Sequence, residues 1–361
     1  MPCFELIAGW IRQCKENHSA CENAPPSPLP TRVIDVRCGR EPRLYETHGE
    51  QDYFVALSHC WGKSQINTTT KATFEQRKQC IPFNSLSKTF QDAVTVTRQL
   101  RFSYLWIDSL CIIQDDLHDW EAQAAQMASI YHNADLTIAA TATRGGNEGF
   151  LSERHGNVFQ SLELPSCSKE EQSSRVYMRQ KPPAAPHWFS YGNGEQPLYD
   201  FPLLGRGWVL QERILSRRVI HFTASEILWE CANATHCECG VYDNGSPSLF
   251  KTVLNSEVPE DYWPFRRGRH KSTSEIWQTL VGFYSGLELS VETDRLPAIS
   301  GLAKFVGTPY LGRYLAGLWE AHLPSELLWY IYTAKGRRPQ GYIAPSWSCY
   351  IRCAKCSYSL L

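Results

Sequence analysis

The stretch that most constrains this chain is Tyr104–Asp116, Tyr-Leu-Trp-Ile-Asp-Ser-Leu-Cys-Ile-Ile-Gln-Asp-Asp. Tyr104 to Ile107 combines aromatic, aliphatic and β-branched residues, the composition of a strand covered on both faces. Asp108 and Ser109 follow at its carboxyl end, the edge where open parallel sheets gather ligand-binding groups. Leu110 to Ile113 is apolar again before Asp115 and Asp116. Burying a bare carboxylate among such neighbours costs roughly several kcal/mol, so Asp108 is hydrogen-bonded or belongs to a site. It either caps the next turn or carries chemistry, and this stretch alone leaves both open.

The flanking pattern turns that strand into a layer. Tyr53-Phe54-Val55-Ala56-Leu57-Ser58 is a buried strand running into His59-Cys60-Trp61-Gly62, where the glycine marks a turn. Leu86 to Leu100 has a helical period through Phe90, Ala93, Val94, Thr97 and Leu100, with Ser85 or Ser87 as its cap. Asp116 or Asp119 opens a second helix with Trp120, Ala124, Met127 and Tyr131 on one stripe. Asp119 and Glu121 sit in its first turn, where the helix dipole favours acids. Leu136 to Thr141 is a further buried strand. Strand, helix, strand, helix, strand over 53–141 is a βαβαβ unit with parallel strands and right-handed crossovers.

The carboxyl edge of that unit gathers Ser58 to Gly62, Asp108 to Cys111 and Thr141 to Arg144. The candidate pocket is therefore Ser58, His59, Trp61, Gly62, Ser109, Cys111, Asp116 and Trp120 around Asp108. Ser58 and His59 are neighbours in a strand and point to opposite faces, which argues against a nucleophile–base pair. No Gly-x-Gly-x-x-Gly or phosphate-loop pattern occurs, which argues against those two kinds of nucleotide site.

Around this unit the chain divides by composition. Residues 1–30 read as a leader and linker: a short helix over Phe4 to Cys14, with Leu6, Ile7, Trp10 and Ile11 on one face, then the Pro-rich run Ala24 to Pro30. Thr31 to Val36 is a candidate strand. Residues 145–200 are Ser- and Pro-rich and form a loop-rich insertion. Order returns over 205–348 as an α+β extension. Gly205 to Ser216 holds a turn and a half of helix, with Trp208, Gln211, Glu212 and Arg213 as a structural motif. Val219 to Phe222 and Glu226 to Glu230 pair as strands. Helices are expected over Ser274 to Leu287, from Leu296 onward, over Tyr314 to Ala321 and over Ser325 to Tyr332. Residues 349–361 are a short Cys-containing tail.

With 361 residues, 43% apolar content and twelve tryptophans, the chain has material for a large aromatic core. Its 36 basic and 37 acidic residues nearly balance, with no basic run, so nucleic acid is not an expected partner. No apolar run reaches the length of a membrane span. The start carries Glu5 and lacks a basic region before a long apolar stretch, so no secretory signal is expected and the location is read as cytoplasmic. The fourteen cysteines are scattered and read as reduced thiols. Cys231, His236, Cys237 and Cys239 lack the Cys-x2-Cys pairs of zinc sites, so no metal and no cofactor is expected.

Several blocks together resemble the fungal HET (heterokaryon incompatibility) domain. They are Tyr53-x-Ala-Leu-Ser58-His-Cys-Trp61-Gly62, Leu86-Ser-Lys-Thr-Phe-Gln-Asp-Ala93, Tyr104 to Asp116 and Ile130-Tyr-x-Asn-Ala134. Gly149-Phe-Leu151, Arg206 to Arg213, Trp229-Glu-Cys231 and Asp294 to Gly301 continue the series in the family's order, over about 50–348. The resemblance implies one HET domain over 31–348. It implies an α/β fold with a TIR/flavodoxin-like parallel sheet flanked by helices, and remote kinship with TIR (Toll/interleukin-1 receptor) domains. It also implies a fungal origin and a role in nonself recognition and programmed cell death. Some TIR domains cleave NAD with a Glu on the helix after the central strand, here Asp119 to His132. Gln123 stands where the family commonly has an acid, which leaves Glu121 as the nearest carboxylate.

Three functions remain open on these grounds. The first is an effector acting through self-association and protein partners without turnover. The second is hydrolysis of the nicotinamide–ribose bond of NAD, with Asp108 or Glu121 stabilising the positive charge on the sugar. The third is a HET-like enzyme recruited to small-molecule biosynthesis.

Overall fold

The structure, a computed structural model, describes residues 2–21, 25–37, 39–62, 67–152, 162–164, 176–178, 201–240, 251, 273–307, 309–331, 341–351 and 356–358. Eight strands form one sheet: β1 (Arg32–Asp35), β2 (Arg43–Glu46), β3 (Phe54–Ser58), β4 (Tyr104–Trp106), β5 (Leu136–Ala139), β6 (Arg218–Phe222), β7 (Ile227–Cys231) and β8 (Thr235–Cys237). Their spatial order is β8-β7-β6-β5-β3-β4-β1-β2. The four central strands β4, β3, β5 and β6 pair in parallel, and both flanks are antiparallel. The expected parallel layer is thus the middle of a wider mixed sheet. All residues of β3, β5, β6 and β7 are buried, as the continuous apolar runs require.

The helices used below are α1 (Pro2–Asn17), α2 (Lys88–Gln99), α3 (Leu117–Asn133), α4 (Gly207–Leu215), α5 (Thr273–Ser285) and α6 (Arg295–Val306). The step from β3 to β4 runs one way across the sheet, and the step from β4 to β5 runs back over β3. Right-handed crossovers then place α2 and α3 on opposite faces. The step from β5 to β6 runs the same way as β4 to β5, so α4 joins α3, and these two and α6 pack on one another. Asp116 opens α3, its side chain accepting from the backbone N–H groups of His118 and Asp119.

One apolar cluster runs through the whole chain, from Phe4, Ile7 and Trp10 of α1 to Cys356 and Tyr358. The helix read at the start of the chain therefore contributes to the same core as the sheet. Of the loop-rich region expected over 145–200, residues 153–161, 165–175 and 179–200 lie outside the described residues. Leu162–Leu164 and Val176–Met178 pair antiparallel. Among the described residues no helix is long and apolar enough to cross a membrane.

Two expected helices are corrected. Tyr314–Leu315 and Leu318–Trp319 form a tight hairpin, and Trp329–Ile331 is a strand paired with Cys356–Tyr358. Ala316 and Gly317 both have positive φ, 43° and 101°, which turns the chain back on itself. A side chain on Gly317 would also collide with the Tyr350 ring. The Leu- and Trp-rich composition there reflects burial, and the two-residue turn decides the geometry.

Gly301 of α6 lies directly over buried Gln211 of α4. An added Cβ would overlap the Gln211 carboxamide and stand 2.9 Å from Ala128 Cβ of α3. Alanine improves helix propensity by about 1 kcal/mol, but the overlap forces packed helices apart at a larger cost. Gly301→Ala is expected to lower stability by about 1–2 kcal/mol net in chemical denaturation. A raised midpoint would show that α6 yields at this contact.

Candidate functional site

The parallel strands taken in chain order lie 2-1-3-4 across the sheet, β4-β3-β5-β6. Connections leave in opposite directions from β3 and β5, which makes the carboxyl ends of these two strands a topological switch point, where open α/β sheets form ligand crevices. The β3 end delivers Ser58 and His59, and the β4 end delivers Asp108. Trp61 Nε1 donates to Asp108 Oδ2 at 2.8 Å, and the backbone N–H of Ser109 donates to Oδ1 at 2.6 Å. His59 Nδ1 lies 3.8 Å from Asp108 Oδ1. The His59 ring is buried edge-on against Phe90, and its Nε2 has no hydrogen-bond partner. Burial lowers the affinity of that ring for a proton, more than the nearby Asp108 charge raises it. Asp108 is half-buried, so one carboxylate stays in reach of a ligand.

Gly62 explains how the loop after β3 closes on the loop after β5. Its φ is +73°, and an added Cβ would lie 3.0 Å from the Gly145 Cα. Only glycine accepts both the left-handed backbone and that approach.

Beside Asp108 sits a second carboxyl that sequence reading had placed in a structural motif. Glu212 of α4 accepts a short hydrogen bond from the Ser58 hydroxyl. Burial raises Glu212 to about 7, with the Asp108 charge pushing the same way and the hydrogen bond from Ser58 opposing it. The Tyr131 hydroxyl donates to Leu57 O at 3.0 Å, and Arg206 Nη1 donates to His59 O at 2.7 Å. Tyr131 carried the signal of a core stripe, and nothing in the sequence separated it from Met127. Ser58 and His59 diverge, one to Glu212 and the other toward Asp108.

A further polar group lies behind Glu212. Arg213 forms two bonds to Glu230 of β7, Nε to Oε2 at 2.7 Å and Nη2 to Oε1 at 3.0 Å. His221 Nε2 meets the same Oε2 at 3.1 Å, and its Nδ1 faces the Thr141 hydroxyl at 3.1 Å. Burial lowers His221 to about 4, so the ring is neutral and donates through Nε2. Lys251 Nζ donates to the carbonyls of Arg213 and Ser216, placing a cation at the carboxyl end of α4.

Residues 54–212 match the family described as Heterokaryon incompatibility protein (HET). That stretch of the chain is similar to the HET domain. No curated protein and no solved structure matches it.

The blocks of the HET domain, and two that follow it, touch one another in space. Asp92 of the Leu86–Ala93 block accepts from the backbone N–H groups of Phe150 and Leu151, at 2.7 and 2.9 Å. Trp61 reaches Asp108, Ser58 reaches Glu212, and Trp208 Nε1 donates to Asp294 Oδ2 at 3.1 Å. Gln211 lies under Gly301, and Arg213 holds Glu230.

The other candidate residues are distributed differently. Ser109 is fully buried, with its hydroxyl unpartnered, and burial pushes the Cys111 thiol up to about 12. Asp116 is the cap of α3 and pairs with Lys71 at 3.1 Å. Trp120 packs partly against the core. Glu121 is exposed on α3 and makes none of the hydrogen bonds that build the crevice. Gln123 is buried and donates to Thr31 Oγ1 at 3.4 Å. Away from the crevice, Cys14, His18, Cys21 and Cys231 converge, as do Glu226, Cys237 and Cys239.

Proposed function

We propose that this heterokaryon-incompatibility-type protein is a cell-death effector whose working site is the crevice at the β3/β5 switch point. The carrying observation is the junction of Asp108, Trp61 and His59 with Ser58, Glu212 and Tyr131. A sheet edge needs no two neighbouring carboxyl groups to be stable, whereas a ligand site uses them. The response runs through self-association or protein partners. Leu327, Leu328, Tyr330 and Trp347 are exposed apolar groups such contacts can use, and Trp329 Nε1 donates to Trp347 O at 2.9 Å, which joins their two segments.

Overexpression in a fungal host tests the site. Asp108→Asn keeps the shape and the turn-capping ability of the side chain and removes its charge. Loss of toxicity with an unchanged circular dichroism spectrum is the expected result. Full toxicity in the folded variant would leave Asp108 as a turn residue only.

One observation favours a second reading, hydrolysis of the nicotinamide–ribose bond of NAD. Asp108 is an accessible carboxylate, and the Glu212 carboxyl beside it titrates near neutrality. Asp108 would stabilise the positive charge growing on the ribose, and Glu212 would exchange a proton with the attacking water. Purified protein is expected to release nicotinamide from NAD, and Asp108→Asn to abolish the release. Absence of release from the wild type would remove this reading and leave the first.

A further inference from the structure

Cys231 closes β7, and sequence spacing sets it beside Cys237 and Cys239. Its partners in space come from the other end of the chain. Cys14 and His18 are one helical turn apart at the end of α1, with His18 N–H bonded to Cys14 O at 3.2 Å. A 3-10 turn, Ser19–Cys21, then curls Cys21 back to the same side, its N–H donating to His18 O at 3.1 Å. Trp10 stacks on the His236 ring at 6.1 Å and tilts against Trp229 at 6.4 Å, which docks α1 on β7 and β8. The three sulfurs and the imidazole nitrogen all lie within 4.8 Å of one another. Cys231 Sγ and His18 Nδ1 are 3.4 Å apart.

We propose that Cys14, His18, Cys21 and Cys231 bind one zinc ion that staples α1 to the sheet. Tetrahedral zinc with Zn–S of about 2.3 Å and Zn–N of about 2.0–2.1 Å spaces its ligand atoms by roughly 3.5–3.8 Å, the scale of this cluster. Three thiolates and one imidazole, with Cys14, Cys21 and Cys231 buried, form a closed four-ligand set, the pattern of a structural rather than a catalytic site. The surroundings suit the charge. Three thiolates around a divalent cation leave one net negative charge, and Arg218 Nε points at Cys14 Sγ from 3.3 Å. Arg218 also donates to Cys21 O at 3.2 Å and to Asp135 Oδ1 at 3.1 Å, so its orientation is held from three directions. The three cysteines are free thiols, as ligation requires. Glu226, Cys237 and Cys239 supply only three groups, two of them from residues two apart, and make the poorer cage.

The test uses the full chain purified from zinc-supplemented medium. Elemental analysis is expected to find about one zinc per chain in the wild type and in Cys80→Ser, a thiol outside the cluster, and background zinc in His18→Ala and Cys231→Ser. Cobalt(II) exchanged into the wild type should show tetrahedral d–d bands with a thiolate charge-transfer band. That spectrum keeps the test decisive if Cys231→Ser fails to fold. Substoichiometric metal in the wild type, full zinc in His18→Ala, an octahedral cobalt spectrum, or a Cys14–Cys21 disulfide in the intact mass would each overturn the proposal.

Discussion

Arg213→Ala is expected to destabilise the protein by about 3–5 kcal/mol, because it strands a buried carboxylate. The Arg213 side chain is 7% exposed and that of Glu230 is fully buried. Burial alone would raise Glu230; the Arg213 charge and the His221 hydrogen bond outweigh it and hold the carboxyl well below its usual range. Without the guanidinium, Glu230 either stays charged with the two-pronged pair gone or takes up a proton, and both cost stability at neutral pH. Lysine does not restore the fork that meets both carboxylate oxygens, so Arg213→Lys recovers only part of the loss. Replacing both partners by methionine removes the stranded charge as well as the pair. That double variant is expected to lose less than Arg213→Ala. Urea denaturation of the three variants reads these differences. An unchanged midpoint in Arg213→Ala would place the pair in water, against its geometry.

Glu212→Gln is expected to change how stability depends on pH. The folded pKa is about 7 against an ordinary 4.5, so between these values the folded protein holds a proton that the unfolded chain releases. Stability from the neutral carboxyl is complete below the lower value. It is lost as pH rises and is gone once pH passes the folded value. The loss amounts to about 3 kcal/mol. Glutamine mimics the neutral carboxyl toward Ser58 at every pH. The variant should match the wild type near about pH 4.5 and exceed it by about 3 kcal/mol near about pH 8. Parallel stability curves for the two proteins would show that Glu212 is ionised throughout. The same titration sets the chemistry available at the crevice, since a carboxyl poised near neutrality both gives and takes protons.

The parallel core was legible because its signals are local. Apolar runs of strand length, the amphipathic period over 86–100 and the acid-opened helix after Asp116 each depend on near neighbours, and they appear as β3, α2, β4, α3 and β5. The carboxyl edge followed from that order through the handedness of crossovers, which is why Asp108, Trp61 and Ser58 could be assigned to one edge beforehand. Helices over 314–321 and 325–332 were misread because apolar composition reports burial, not backbone path, and the two-residue turn at Ala316-Gly317 outranks it.

What only the tertiary structure decided are the pairings between distant segments. Glu212 meets Ser58 across 154 positions, and Cys231 meets His18 across 213. A hydrogen bond or a ligand set of that span leaves no periodicity in either partner, because each residue sits in an ordinary helix or strand. Glu212 and Arg213 are adjacent and both buried, yet one serves the crevice and the other the β7 carboxylate, since neighbours on a helix point about 100° apart. The sequence by itself determined three of the four parallel strands, β3, β4 and β5, and which edge bears the polar groups; the tertiary structure added β6 to that layer, and the packing of α1, α4 and β7 onto it decided which of those groups meet.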